Sequence, residues 1–217
     1  MANLELNEQT VPFKEFYGRN DEQMGKLVAD DRLPLSIAGL MEKRLAVLDG
    51  SSQDVQSAWW NNYFDTGDGF FYHPDGNVKI VRNAQPIREM TGSSELLNGA
   101  LALGANRDAS VAVYNKLDGD EFTRSELDGL VGKSLSIGDV KSHPVWNALV
   151  GDKDLLAEYA QTTFAKGKEQ LDYDKMMGVW LGSSQDVAVG RLGVVNSLNS
   201  YSNVLGDGNI NSSNGRL

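Results

Sequence analysis

The chain of 217 residues has no cysteine and only two histidines, His73 and His143. Without a thiol there is no disulfide, no thiolate zinc site and no cysteine nucleophile. Two imidazoles leave little choice of a base that titrates near neutral pH, and no serine stands in a nucleophile-elbow setting beside either. Long apolar runs are missing too: the longest, around Gly99 to Ala105, is far too short to cross a bilayer. Positive charge is scarce, with 20 Lys and Arg against 30 Asp and Glu for a formal net charge of −10. Lys79, Arg82 and Arg88 come nearest to a basic patch, and a strand edge plus an exposed turn explains them. Such a balance repels phosphate backbones and anionic lipid surfaces, so neither nucleic acid nor membrane is expected as a partner. Met1 to Glu8 show no positive start followed by an apolar stretch, so no secretory signal is read and a cytoplasmic location is expected.

What is present begins with a repeat. Gly50-Ser51-Ser52-Gln53-Asp54-Val55 returns letter for letter at Gly182-Ser183-Ser184-Gln185-Asp186-Val187, with an echo at Gly92-Ser93-Ser94-Glu95-Leu96. Each copy is read as opening a helix and is followed by an acidic, glycine-bearing turn: Asp65 to Gly69, Asp118 to Asp120, and Gly206 to Gly208. A hydrophobic content of 41% suffices for a packed core, and one globular domain over 1–217 is expected. Its segment 196–217, rich in Asn and Ser, has too little apolar area to offset ordering entropy and is expected to be mobile.

Helical periodicity is clearest from Pro34 to Leu48, with Ile37, Leu40, Met41, Leu45 and Leu48 on one face. Asp49-Gly50 ends that helix, and Ser51 or Ser52 caps the next, which carries Val55, Trp59, Trp60 and Tyr63. Phe70 to His73 and Val78 to Val81 flank Pro74-Asp75-Gly76-Asn77 and predict one hairpin. Downstream, helices are predicted over 94–103, 109–117, 124–131, 144–150, 153–166, 173–181 and 184–201. The expected fold is therefore mainly α, a compact helical domain with one small antiparallel hairpin.

Two segments resemble the calcium loops of EF-hand and dockerin modules. In Asn203 to Asn214 the alignment puts Asn203 at the first ligand position and Asp207 at the fifth. Gly208 takes the turn, Asn209 offers its carbonyl, Ile210 is the apolar eighth residue, and Asn211 and Asn214 are ninth and twelfth. In Asn115 to Glu126, Asn115 comes first, Phe122 eighth and Glu126 twelfth, with Asp118 and Asp120 between. The resemblance implies weak calcium binding, with dissociation constants of roughly 10⁻⁴ to 10⁻³ M for a loop with one carboxylate. Thr123 and Glu126 also spell a capping box, which accounts for the second segment without a metal.

Phe64-Asp65-Thr66-Gly67 is similar to the active-site tetrapeptide of aspartic proteases, in which two carboxyl groups share a proton. With Asp68 and His73 nearby, and aromatic mass from Trp59 to Tyr72, Asp65, Asp68 and His73 form the alternative catalytic set of a hydrolase. The leading expectation is a non-enzymatic, acidic domain that binds a protein or small ligand, with calcium in a weak structural role. A third reading makes the turns mere helix caps within a larger interaction protein.

Overall fold

A computed structural model describes residues 13–217; the reading of Met1 to Glu8 lies outside the described residues. In chain order the elements are helices α1 (Asn20–Ala29), α2 (Ile37–Ala46) and α3 (Gln53–Trp60), strands β1 (Phe64–Tyr72) and β2 (Val78–Val81), and the short α4 (Gln85–Arg88). There follow β3 (Leu96–Leu97), β4 (Ala100–Ala102), α5 (Arg107–Lys116), β5 (Asp120–Phe122), α6 (Arg124–Leu127), α7 (Ile137–Ser142), α8 (Pro144–Val150) and α9 (Lys153–Leu171). The chain then closes with β6 (Val179–Leu181), β7 (Val189–Val195) and β8 (Val204–Gly206).

The strands form one sheet in the order β3-β4-β7-β1-β2-β5, and β8 joins β7 to β6. Every pairing is antiparallel except β6 with β8. Strand β1 is buried along its whole length because the sheet is covered on both sides. Neighbouring side chains on a strand point to opposite faces. Accordingly, Phe70 packs with Ile37, Leu40, Trp146 and Tyr159, whereas Phe71 packs with Met24, Ile87, Met90 and Tyr114.

The mainly helical expectation is overturned by this sheet. Three segments read as helix are strands: 94–103 holds β3 and β4, 173–181 ends in β6, and 184–201 holds β7. In β7, Val-Gly-Arg-Leu-Gly-Val-Val is buried throughout, so it shows no alternation, and its apolar spacing mimics a helix. Its glycines are needed for contact. A Cβ at Gly190 would lie 2.6 Å from the Phe71 ring, and one at Gly193 would lie 3.1 Å from Ile37. Residues 65–69, read as a turn, lie inside β1, where the register with β7 shifts between Asp65 and Gly69.

Several local readings agree with the fold: Ser52 caps α3 through its side chain, and β1 pairs with β2 across the 73–77 turn. The helix read from Pro34 starts later, at Ile37, with Ser36 as its cap. Helices α5, α6, α8 and α9 overlap the predicted ones. Only the first GSSQDV copy opens a helix; the second lies between β6 and β7, and the echo precedes β3. Residues 196–217 are packed into the fold rather than detached from it. They carry β8, bury Ile210 and Arg216, and return to the start of the described chain. Phe16 and Leu217 exchange backbone bonds of 3.0 Å, and the Asn20 N–H reaches the Ile210 carbonyl at 3.0 Å. Backbone pairing supplies there what the small polar side chains cannot.

Candidate functional site

The carboxylates of the hydrolase alternative do not meet. Asp68 is fully buried; its Oδ2 accepts the Ile37 N–H at 2.7 Å and its Oδ1 the Asn83 N–H at 2.8 Å. Burial raises its pKa, and those two N–H groups partly offset the rise. It thus fastens the start of α2 and the turn after β2 to β1. Asp65 faces Arg216 and Asn20, and burial pushes its pKa up to about 6. His73, at the end of β1, accepts the Asp75 N–H on Nδ1 at 3.1 Å and packs edge-on against Tyr114. Among the described residues each of the three is tied to partners of its own, and none of these contacts links them. The aromatic residues around them are core: Trp59 stacks on Phe64 and Trp60 on Tyr159.

The calcium loops are occupied in another way. Asn203 is buried and its Oδ1 accepts the Gly178 N–H at 2.8 Å. Around Asp207 the cation is a side chain. Arg191 of β7 donates from one terminal nitrogen to the carbonyls of Asp207 and Gly208 at 3.2 and 2.9 Å and to Asn209 Oδ1 at 3.2 Å. Its other terminal nitrogen reaches the Asn98 carbonyl at 2.9 Å. The turn does hold oxygens around a positive charge, and that charge is a guanidinium. Asn211 is exposed, and Asn214 is engaged by Tyr17 and Tyr63. In the other segment, Asn115, Asp118 and Asp120 are exposed, and Glu126 closes the capping box on Thr123. Among the described residues no three His, Asp or Glu side chains gather to hold a metal. These donor sets do not fit a wrapped calcium ion, which needs six to eight converging oxygens.

An open cleft lies elsewhere, where the tip of the β1–β2 hairpin, α6 and the second GSSQDV copy converge. One part, of about 490 Å³, is lined by Asn77, Thr123, Arg124, Ser125 and Asp128. It adjoins a groove of about 370 Å³ whose walls include Arg124, Asp128, Leu181, Gly182, Ser183 and Ser184.

Each wall has a local cause. The Thr123–Glu126 capping box fixes the start of α6 and so places Arg124. Gly76 has φ +95° at the hairpin tip, and a Cβ there would come 3.2 Å from Arg124 Cδ. Glycine therefore serves both the turn and the approach of the arginine. The serine loop is pinned at both ends: the Gly182 N–H donates to Tyr72 Oη at 3.1 Å, and Asn98 Nδ2 donates to Gln185 Oε1 at 2.9 Å. Tyr72 in turn donates to the Gly206 carbonyl at 2.6 Å, and burial raises its pKa so that the phenol stays protonated.

Between the two pins Ser183 and Ser184 stand exposed. Arg124 and Asp128 form no ion pair among the described residues. The cleft thus offers the Ser183 and Ser184 hydroxyls and one charge of each sign, Arg124 and Asp128, while Asn77 is bonded to Glu121 and Thr123 to Glu126. The sequence reading missed it, though the repeated Gly-Ser-Ser-Gln was the signal: its second copy is a surface loop instead of a cap.

No protein-family model matches the chain, and no curated protein matches it. Among solved structures it is similar to a chain described by the words "Accommodation of massive sequence variation in Nanoarchaeota by the C-type lectin fold". The TM-score is 0.67 at 16% identity, covering 94% of this chain and 95% of that one. At such identity the likeness speaks for architecture alone: this chain adopts the C-type lectin fold.

Proposed function

We propose that the chain is a binding domain that takes a hydroxyl-rich ligand of saccharide type in the cleft between the hairpin tip, α6 and the serine loop. The observation that carries this reading is the set of unengaged polar groups on both walls, Arg124 and Asp128 facing Ser183 and Ser184. Ligand sites need a few convergent polar groups held by a rigid scaffold, and the pins at Tyr72 and Gln185 supply the rigidity. The architecture adds an argument by analogy. The similar chain's fold is described as accommodating sequence variation, and in this chain Arg124, Asp128, Ser183 and Ser184 lie outside the core clusters.

A glycan array probed with the full chain, followed by calorimetry on any hit, tests the reading. Arg124→Ala is expected to weaken binding at least tenfold, and Ser183→Ala with Ser184→Ala to weaken it several-fold, with the melting temperature unchanged. Retention of full affinity in both variants would remove the cleft from consideration. The same titration run with millimolar calcium and with a chelator tests ion dependence; equal affinity is expected, because Arg191 already fills the turn at 207–209.

A further inference from the structure

The loop 128–135 walls the cleft on one side and a separate recess on the other. That recess, of about 290 Å³, is lined by Lys133, Ser134, Asp139, Ser142, His143 and Lys175 among others. Lys133 and Lys175 are distant in sequence. They come together because Leu135 and Met176 exchange backbone hydrogen bonds of 2.9 Å in each direction. The approach requires a glycine, since a Cβ at Gly178 would lie 2.4 Å from the Lys133 carbonyl oxygen.

Both lysines are exposed, and neither takes part in an ion pair among the described residues. The acidic neighbour, Asp139, already has its Oδ2 bound to the Ser136 N–H and hydroxyl at 3.2 and 2.7 Å. Lys133 and Lys175 further hold its pKa down. Asp174 is paired with Lys168. His143 closes the recess with its Nε2–H donated to the Leu130 carbonyl at 2.9 Å, and burial lowers its pKa and keeps the ring neutral. Ser142 makes only 3.3 Å contacts to the Gly138 and Asp139 carbonyls. In a chain of net charge −10, two unpaired ammonium groups beside one hydrogen-bonded carboxylate make a local positive field.

We propose that this recess binds a small oxyanion, a phosphate or carboxylate group, held between the ammonium groups of Lys133 and Lys175 with the Ser134 hydroxyl as an additional donor. The site is distinct from the cleft proposed above and does not depend on it. Two partly solvated charges correspond to affinity in the millimolar range.

Calorimetry of the full chain at low ionic strength, with inorganic phosphate and with acetate in parallel, reads the site directly. Saturable one-to-one binding of at least one of them is expected, and whichever binds names the source. The Lys133→Gln/Lys175→Gln double variant is expected to lose at least tenfold in affinity. A Lys26→Gln/Lys116→Gln variant, with the same change in net charge on remote helices, is expected to bind as the parent does. No saturable binding of either anion, a smaller loss in the first variant, or an equal loss in the second would overturn the proposal. All four lysines are exposed, and thermal melts of each variant verify that the fold persists.

Discussion

The N–H of Arg216 donates to Asp65 Oδ2 at 2.6 Å, and the N–H of Asp65 donates to the Arg216 carbonyl at 2.8 Å. This reciprocal pair lays the last described residues along the start of β1, against Phe64 and Tyr63, whose rings the Arg216 guanidinium approaches at 5.9 and 5.8 Å. The same guanidinium lies 2.7 Å from Glu15, at an angle too bent for a hydrogen bond. Asp65 is therefore the hinge point at which both ends of the described chain meet the sheet.

Its raised pKa makes stability depend on pH. A carboxyl with a folded pKa near 6 and an unfolded value near 3.8 favours the folded state most when protonated. The contribution is complete below about pH 4 and is lost as pH rises through about 6. A shift of this size corresponds to something on the order of 3 kcal/mol. Asp65→Asn keeps an acceptor for the Arg216 N–H and removes the charge. Urea denaturation between pH 4 and pH 7 is expected to show declining stability in the parent and a flatter profile in the variant. Parallel profiles would assign the dependence to other groups.

Arg191 is a buried cation whose removal has a definite consequence. Replacing it by Met preserves much of the volume and leaves the carbonyls of Asp207, Gly208 and Asn98 without their donor. These bonds are part-buried and have a charged donor, and hydrogen bonds to charged groups contribute about 1.5–3 kcal/mol, so a loss on that order by denaturant titration is expected. With the guanidinium gone, the carbonyls of the turn at 207–209 are open to added calcium. Millimolar calcium should leave the parent's melting temperature within about 1 °C. A parent shift abolished by Asp207→Ala would show that the ion displaces Arg191.

Gly190 and Phe71 form a close-packed pair across β1 and β7 in direct register. Gly190→Ala drives a methyl into the Phe71 ring, and overpacking of this kind costs about 1–3 kcal/mol. Phe71→Leu should relieve part of that penalty. A double-mutant cycle is the measurement, and additive losses would mean that the strand absorbs the methyl by moving elsewhere.

These pairs also show what the sequence could and could not convey. Caps were legible because they depend on residues three apart: Ser52 to Val55, Thr123 to Glu126. The hairpin at 73–77 was legible for the same local reason. Strand β7 was not, since its glycines are explained by Phe71, Ile37 and Phe70, all more than a hundred residues earlier. The β3–β4 hairpin carried a readable signal that was passed over. Asn98-Gly99, at φ +49° and +75°, is the turn dipeptide favoured between antiparallel strands. The glycine-acid turn at 206–208 was read as part of a calcium loop, and Arg191 of β7 donates to its Asp207 and Gly208 carbonyls. The open serine loop is set by Tyr72, which no local pattern links to Gly182.

Tyr72 thus offers a test that joins scaffold to site. Its hydroxyl bridges the Gly206 carbonyl and the Gly182 N–H, and Tyr72→Phe removes both bonds while keeping the ring that packs in the core. A buried carbonyl and the loop's anchor are left unsatisfied, for an expected loss of about 1–3 kcal/mol. If the serine loop is positioned through this hydroxyl, amide exchange at 182–185 should accelerate by more than at β2 or α9, and affinity for a cleft ligand should fall although Tyr72 keeps its place. Uniform acceleration across the fold would mean that the phenol contributes stability alone, and that Ser183 and Ser184 are held by Gln185 and Asn98 instead.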